Sequence, residues 1–157
     1  MKSGNLTVDE IVTATREVVK VIQKEAFPKE LAVLSRTSHG TPSVTSVTRR
    51  NNLSFMGYVS PLRKLNPVMV DGVITVGGRL ERAIIRLSAR HPMILPSKHH
   101  VTDLVIRDCH EREGHVGAGQ VLASAREKFW ILRGHAAVRR VIEKCLKCRF
   151  WNARPCE

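Results

Sequence analysis

Two pairs of metal-ligating residues constrain this chain more than any other feature. His110 and His115 stand with four residues between them in C-H-E-R-E-G-H, Cys145 and Cys148 with two between them in K-C-L-K-C-R, and 29 residues separate the pairs. Two imidazole nitrogens and two thiolate sulfurs are the donor set that suits tetrahedral zinc. Either pair alone would pass for ordinary surface residues, whereas their order and spacing together point to one site. To bring all four to one ion, the intervening chain must leave the histidines and come back, which two helical passes accomplish. His110 is expected in the last turn of a helix. His115 is expected in a loop after Gly114, where the glycine lets the backbone turn back on itself. Cys145 and Cys148 are expected to cap a third helix as a knuckle. Four protein ligands leave no open coordination position, so the ion is expected to be one structural Zn2+ that activates no water.

Composition makes such an ion useful. The chain has 157 residues, 43% apolar but only 4% aromatic, which allows one ordinary domain or two small ones with modest aliphatic cores. Structural zinc contributes roughly 10–16 kcal/mol of apparent binding energy in small peptides, more than so small a core supplies. The formal charge is +12, and the excess is spread: residues 1–95 carry 14 basic and 7 acidic side chains, residues 96–157 carry 12 and 7. A distributed basic surface suits a polyanion such as nucleic acid, although it also suits a merely solvated surface. Lys2, Asp9, Glu10, Arg16 and Lys20 interrupt the first thirty residues, and no run approaches the roughly 20 apolar residues of a membrane span. The expectation is an intracellular protein, cytoplasmic or nuclear, with no membrane partner and no small-molecule substrate. Its four cysteines then read as ligands or buried thiols and not as a disulfide framework.

Periodicity predicts an α+β chain, mainly α: a three-helix zinc-binding domain preceded by a small antiparallel sheet and an N-terminal pair of amphipathic helices. Residues 1–35 are expected to hold the helix pair. Thr7-Val8-Asp9-Glu10 has the form of a capping box, Ile11, Ala14, Val18, Val21 and Ile22 follow at helical spacing, and Phe27-Pro28 separates a shorter helix through Leu31 and Leu34. Residues 36–60, rich in Ser, Thr, Gly, Pro, Arg and Asn, read as a flexible linker. In residues 61–97, Asp71-Gly72 between two valine-rich runs predicts a two-residue hairpin ended by Gly77-Gly78, with His91–Pro96 adding an edge strand to make three. Residues 98–157 form the zinc domain. Its helical stripes are Val101, Leu104, Val105 and Cys109; Ala118, Val121, Leu122, Ala125 and Phe129; and Val138, Val141, Ile142 and Cys145. Thr102 is the expected cap of the first of these helices, with His99 and His100 structural. Cys109 is expected as a buried thiol and Trp130 and Trp151 as packed rings. Cys156 is unread, and His39, His91 and His135 lack partners at ligand spacing.

Several stretches resemble the His-His-Cys-Cys zinc-binding domain at the amino end of retroviral and LTR-retrotransposon integrases, most closely the Bel/Pao type: H-P-M-I-L-P-S-K-H-H-V-T, H-E-R-E-G-H-V-G, K-F-W-I-L-R-G and A-V-R-R-V-I-E-K-C-L-K-C-R. Upstream, D-G-V-I-T-V-G-G-R-L is similar to the segment that precedes this domain in such polyproteins. The resemblance is strong from about Leu62 to Pro155 and looser over Thr7 to Phe27. Val121 stands where many members carry threonine and Thr75 where arginine is common, neither at a ligand position. The resemblance implies a non-catalytic, zinc-stabilised helical module that assists integrase self-association, or contact with other integrase domains, and engages the element's DNA ends. In the family the catalytic three-carboxylate core lies downstream of the cysteines, and this chain stops at Glu157, so it reads as a fragment of a Pol polyprotein or a truncated gene model, or as one piece of a longer active product.

The charged residues fit that implication. Asp103, Asp108, Glu111 and Glu113 lie on one short helix and its exit beside basic residues, so they read as a solvated face and not as a paired-metal catalytic site. Among the cations, Arg139, Arg140, Lys144, Lys147 and Arg149 cluster on and after the third helix, beside the expected ion, and are the candidate nucleic-acid contacts. The alternative reading is a domesticated zinc-dependent protein-interaction module that no longer binds DNA.

Overall fold

The structure is a computed structural model that describes residues 6–37, 60–77 and 91–151. It is α+β and mainly helical, and it divides into two compact units, Met1–Thr75 and Val76–Glu157.

In the first unit, helix α1 spans Val8–Ala26 and helix α2 Pro28–Thr37. The capping box at the start of α1 is complete: the Thr7 hydroxyl accepts from the Glu10 amide at 3.3 Å, and the Glu10 carboxylate accepts from the Thr7 amide at 2.7 Å. Pro28 opens α2, where its missing N–H costs nothing. A short 3-10 turn at Arg63–Leu65 leads into strands β1 (Pro67–Val70) and β2 (Val73–Val76). Asp71 and Gly72 join them with φ of 50° and 79°, both positive, as a type I′ turn demands. Of the expected linker, Arg36 and Thr37 belong to α2, Ser60 donates to the buried Glu30 carboxylate at 2.8 Å, and residues 38–59 lie outside the described residues.

The face that α1 buries differs from the expected one. Val19, Ile22 and Gln23 are buried, while Ile11, Val18 and Val21 are exposed. The cause is Gln23, which polarity alone would place in solvent. Its amide mimics a strand residue: Nε2 donates to the Ile74 carbonyl at 2.8 Å and Oε1 accepts from the Ile74 N–H at 2.7 Å. Those two bonds satisfy main-chain groups of β2 and turn the helix so that Val19, and not Val18, faces the core.

The second unit contains β3 (Met93–Leu95), α3 (His100–Arg112), α4 (Ala118–Arg126), β4 (Phe129–Ile131), α5 (Gly134–Ile142) and α6 (Leu146–Trp151). Within this unit, which begins at Val76, the Val76 N–H donates to the Pro92 carbonyl at 3.0 Å. The expected edge position of β3 is corrected by β4, which pairs with it in parallel, Met93 against Phe129, Ile94 against Trp130 and Leu95 against Ile131. Phe129 therefore leaves the helical stripe: α4 ends at Arg126, and the following aromatic and β-branched run suits a strand. Parallel pairing requires a crossover, which α3 and α4 provide.

Two details of α3 also differ from expectation. The cap is His99, whose Nδ1 accepts from the Val101 N–H at 3.1 Å, and Thr102 lies buried inside the helix. The buried stripe is Thr102, Ile106, Cys109 and His110, leaving Leu104 43% exposed. It keeps helical spacing but runs along the face that ends in His110. The stripes of α4 (Val121, Leu122, Ala125) and α5 (Ala137, Val138, Val141) complete the core. Gly134 lets these two helices approach closely, since a Cβ there would stand 2.6 Å from Leu122 Cδ1. Among the described residues, no helix is long and apolar enough to cross a membrane.

Gln23→Leu strands two buried main-chain groups of β2. It is expected to lower unfolding free energy by roughly 2–5 kcal/mol, measured by urea denaturation, whereas Lys24→Leu, on the exposed side, should change it by less than about 0.5 kcal/mol.

Candidate metal centre

The two histidines are brought together by the way α3 ends. The Gly114 N–H donates to the Glu111 carbonyl at 3.1 Å and the His115 N–H to the His110 carbonyl at 2.8 Å. That pair of bonds, with Gly114 left-handed at φ 76°, is a Schellman motif. Its outer bond ties the backbone of the sixth residue to that of the first, so a histidine at each end is held against the other. The ring centroids are 4.7 Å apart and nearly perpendicular. His115 itself sits at φ 64°, an uncommon conformation for a side chain of its size.

The cysteines sit at a second chain reversal. The Cys145 N–H donates to the Ile142 carbonyl at 2.9 Å, closing a turn after α5, and the Cys145 carbonyl accepts from the Arg149 N–H at 2.9 Å, opening α6. The knuckle therefore stands at the start of a separate short helix and does not cap α5 as expected. This placement aims the free amides of the first turn of α6 at sulfur: backbone N–H groups of Cys148 and Lys147 pull the Cys145 thiol below its ordinary value. Burial pushes Cys148 the other way.

His110 Nε2 lies 3.1 Å from Cys148 Sγ and 3.1 Å from His115 Nδ1, and His115 Nδ1 lies 3.3 Å from Cys145 Sγ and 3.9 Å from Cys148 Sγ. All four donor atoms lie within 4.8 Å of one another, and among the described residues this is the one such group of His, Cys, Asp and Glu donors. Zn–N bonds near 2.0 Å and Zn–S bonds near 2.3 Å give a tetrahedron with edges of about 3.3–3.8 Å, close to the spacings observed. The donors fit one zinc ion, held by His110 Nε2, His115 Nδ1 and both sulfurs. His110 Nδ1 is buried, and it carries the ring proton of the neutral imidazole when Nε2 is a ligand. Burial first, then the neighbouring His115, hold His110 below the ordinary histidine value, so the ring is neutral and able to bind metal near neutral pH.

The surroundings divide the remaining candidates. Cys109 is buried and its thiol is raised chiefly by burial, as befits a packing residue. Arg139, Lys144, Lys147 and Arg149 are exposed. Arg140 is half-buried: its guanidinium donates to the Ser97 carbonyl at 2.9 Å and to the Asp103 carboxylate, joining α5 to the start of α3. Asp108 pairs with Arg112 at 2.8 Å, so two of the four acids of α3 and its exit are matched within the chain. Trp130 packs under the Arg126 guanidinium, 5.0 Å from the ring centre. Trp151 does not pack as expected; it is 65% exposed and touches His115 only edge-on at 5.9 Å. The Schellman signature of His-x4-His with glycine in the fifth position was readable from residue spacing, whereas the Arg140 clamp joins residues too far apart in the chain to be read.

Helices α3 to α6 around this donor set define a small His2Cys2 metal-binding module. Residues 97–154, which contain all four donors, match the family model of the integrase zinc binding domain. Comparison with curated proteins and with solved structures gave no match.

Removing zinc with a chelator is expected to lower the melting temperature of the helical signal of residues 91–151 by more than about 15 °C. His110→Ala or Cys148→Ser should reproduce the effect without chelator. Because the folded His110 is held below its unfolded value of about 6.5, the unfolded chain binds the extra proton as pH falls. Stability at this group is therefore expected to be full above that value and to be lost in more acidic solution, measured as denaturation midpoint against pH.

Proposed function

We propose that this chain is a non-catalytic zinc-binding module of a retroelement integrase, of Bel/Pao type and part of a Pol polyprotein, acting inside the cell in nucleic-acid binding and self-association during DNA integration. The observation that carries the reading is the four-donor cluster inside a stretch that matches the integrase zinc binding domain. Zinc, once bound, supplies cross-linking of α3 to the turn before α6 and no reaction centre, because four protein donors fill its coordination.

Nucleic-acid contact rests on charge. Arg139 on α5, Lys144 in the following turn, and Lys147 and Arg149 on α6 project from elements that the ion would hold rigid, and they are exposed. Cations on a rigid frame bind phosphates with less loss of side-chain freedom than cations on a loose one. Arg140 contributes by holding α5 to α3, with its donors directed at Ser97 and Asp103.

Fluorescence anisotropy with a labelled DNA duplex tests this. Affinity is expected to fall steeply between 50 and 200 mM salt (~10-fold or more). Arg139→Ala, Lys147→Ala and Arg149→Ala should each reduce the slope of log affinity against log salt by about 1. Arg140→Ala is expected to lower thermal stability instead. No measurable binding at low salt would overturn the nucleic-acid part and favour a protein-interaction module.

A further inference from the structure

Helix α1 carries a second apolar face that is exposed among the described residues. Beside the buried Val19, Ile22 and Gln23, it presents Ile11, Ala14, Val18 and Val21 to solvent, with Ile11 50%, Val18 46% and Val21 56% exposed. Their spacing is three, four and three residues, the alternation that keeps one narrow seam aligned along a helix and lets it mesh with another. An amphipathic helix needs one apolar stripe to join its own core. Among the described residues the core uses a different stripe, so the 3-4-3 seam is left exposed.

The charges beside the seam specify what fits it. Glu10, Glu17 and Lys24 recur every seven residues along one flank, with acids in the first turn and a lysine in the last. We propose that the seam is a self-association surface on which a second copy of this chain lays its own α1 antiparallel. In that register Ile11 faces Val21 of the other copy and Ala14 faces Val18. The small Ala14 side chain allows close approach of the axes. By the twofold symmetry of the pair, Glu10 of each copy meets Lys24 of the other, giving two identical contacts. Glu17 falls at the dyad, where its carboxylate is matched by Lys20 of its own helix at 2.7 Å. A parallel pair would instead set Glu10 and Glu17 beside Thr15 and Ile22 and leave Lys24 unmatched. This assigns a surface to the self-association in the proposed function, but it lies outside residues 97–154 and needs neither zinc nor DNA.

Sedimentation of the full chain over a range of concentrations, with and without chelator, tests the proposal. A monomer–dimer equilibrium that persists in chelator is expected. Val18→Glu, which buries an unpaired charge in the seam, should raise the dissociation constant about ten-fold or more while circular dichroism stays unchanged. The register is tested separately, whatever happens to that variant: an Ile11→Cys chain is mixed with a Val21→Cys chain under oxidised glutathione, and the cross-linked peptides are identified by mass spectrometry. The expected product joins position 11 to position 21. A monomer at all concentrations, a dimer insensitive to Val18→Glu or abolished by chelator, or a product joining position 11 to position 11 would each overturn it.

Discussion

Two chain reversals meeting at one point hold the second unit together. At one, the Schellman bonds that end α3 lock His115 against His110; at the other, the turn after α5 and the start of α6 set Cys145 and Cys148 opposite them. Each reversal is local and formed by main-chain bonds, so each ligand pair is arranged before the ion is considered. What the ion adds is the long-range link, across 38 residues from His110 to Cys148. Without it, four groups with lone pairs face one another within 4.8 Å with little to gain from the contact.

The rest of the unit is arranged to make that link consistent. The buried stripe of α3 ends in His110 itself, so packing Thr102, Ile106 and Cys109 against α4 and α5 also points the imidazole inward. The absence of a Cβ at Gly134 lets α5 start close to Leu122, and Arg140 ties α5 back to Ser97 and Asp103. These contacts aim α5 so that the turn after it arrives at the histidines. A core of this size, nearly all aliphatic, has little energy to spare, and a structural ion compensates for that.

What could be read from residues alone was whatever depends on near neighbours. The capping box at Thr7, the Asp71-Gly72 hairpin, the break at Phe27-Pro28 and both ligand pairs follow from short-range geometry, and the structure bears them out. What could not be read depends on a partner distant in sequence. Gln23 lies buried because Ile74 supplies both of its hydrogen bonds, and that rotation moved the core face of α1 away from the stripe its apolar residues suggest. Phe129 left its helix because β3 offered a strand to pair with. Arg140 seemed as available as Arg139 until Asp103 was brought beside it. Trp151, expected to pack, is 65% exposed, and Leu146 and Phe150 beside it on α6 are exposed as well.

One ion draws two nitrogens and two sulfurs into a single closed shell. X-ray absorption at the zinc edge on purified chain, with metal content measured on the same sample, tests this most directly. The expected result is about one zinc per chain with two sulfur scatterers at about 2.3 Å and two nitrogen scatterers at about 2.0 Å. A chain that binds no zinc after metal reconstitution, or one whose shell contains oxygen in place of either thiolate, would contradict it.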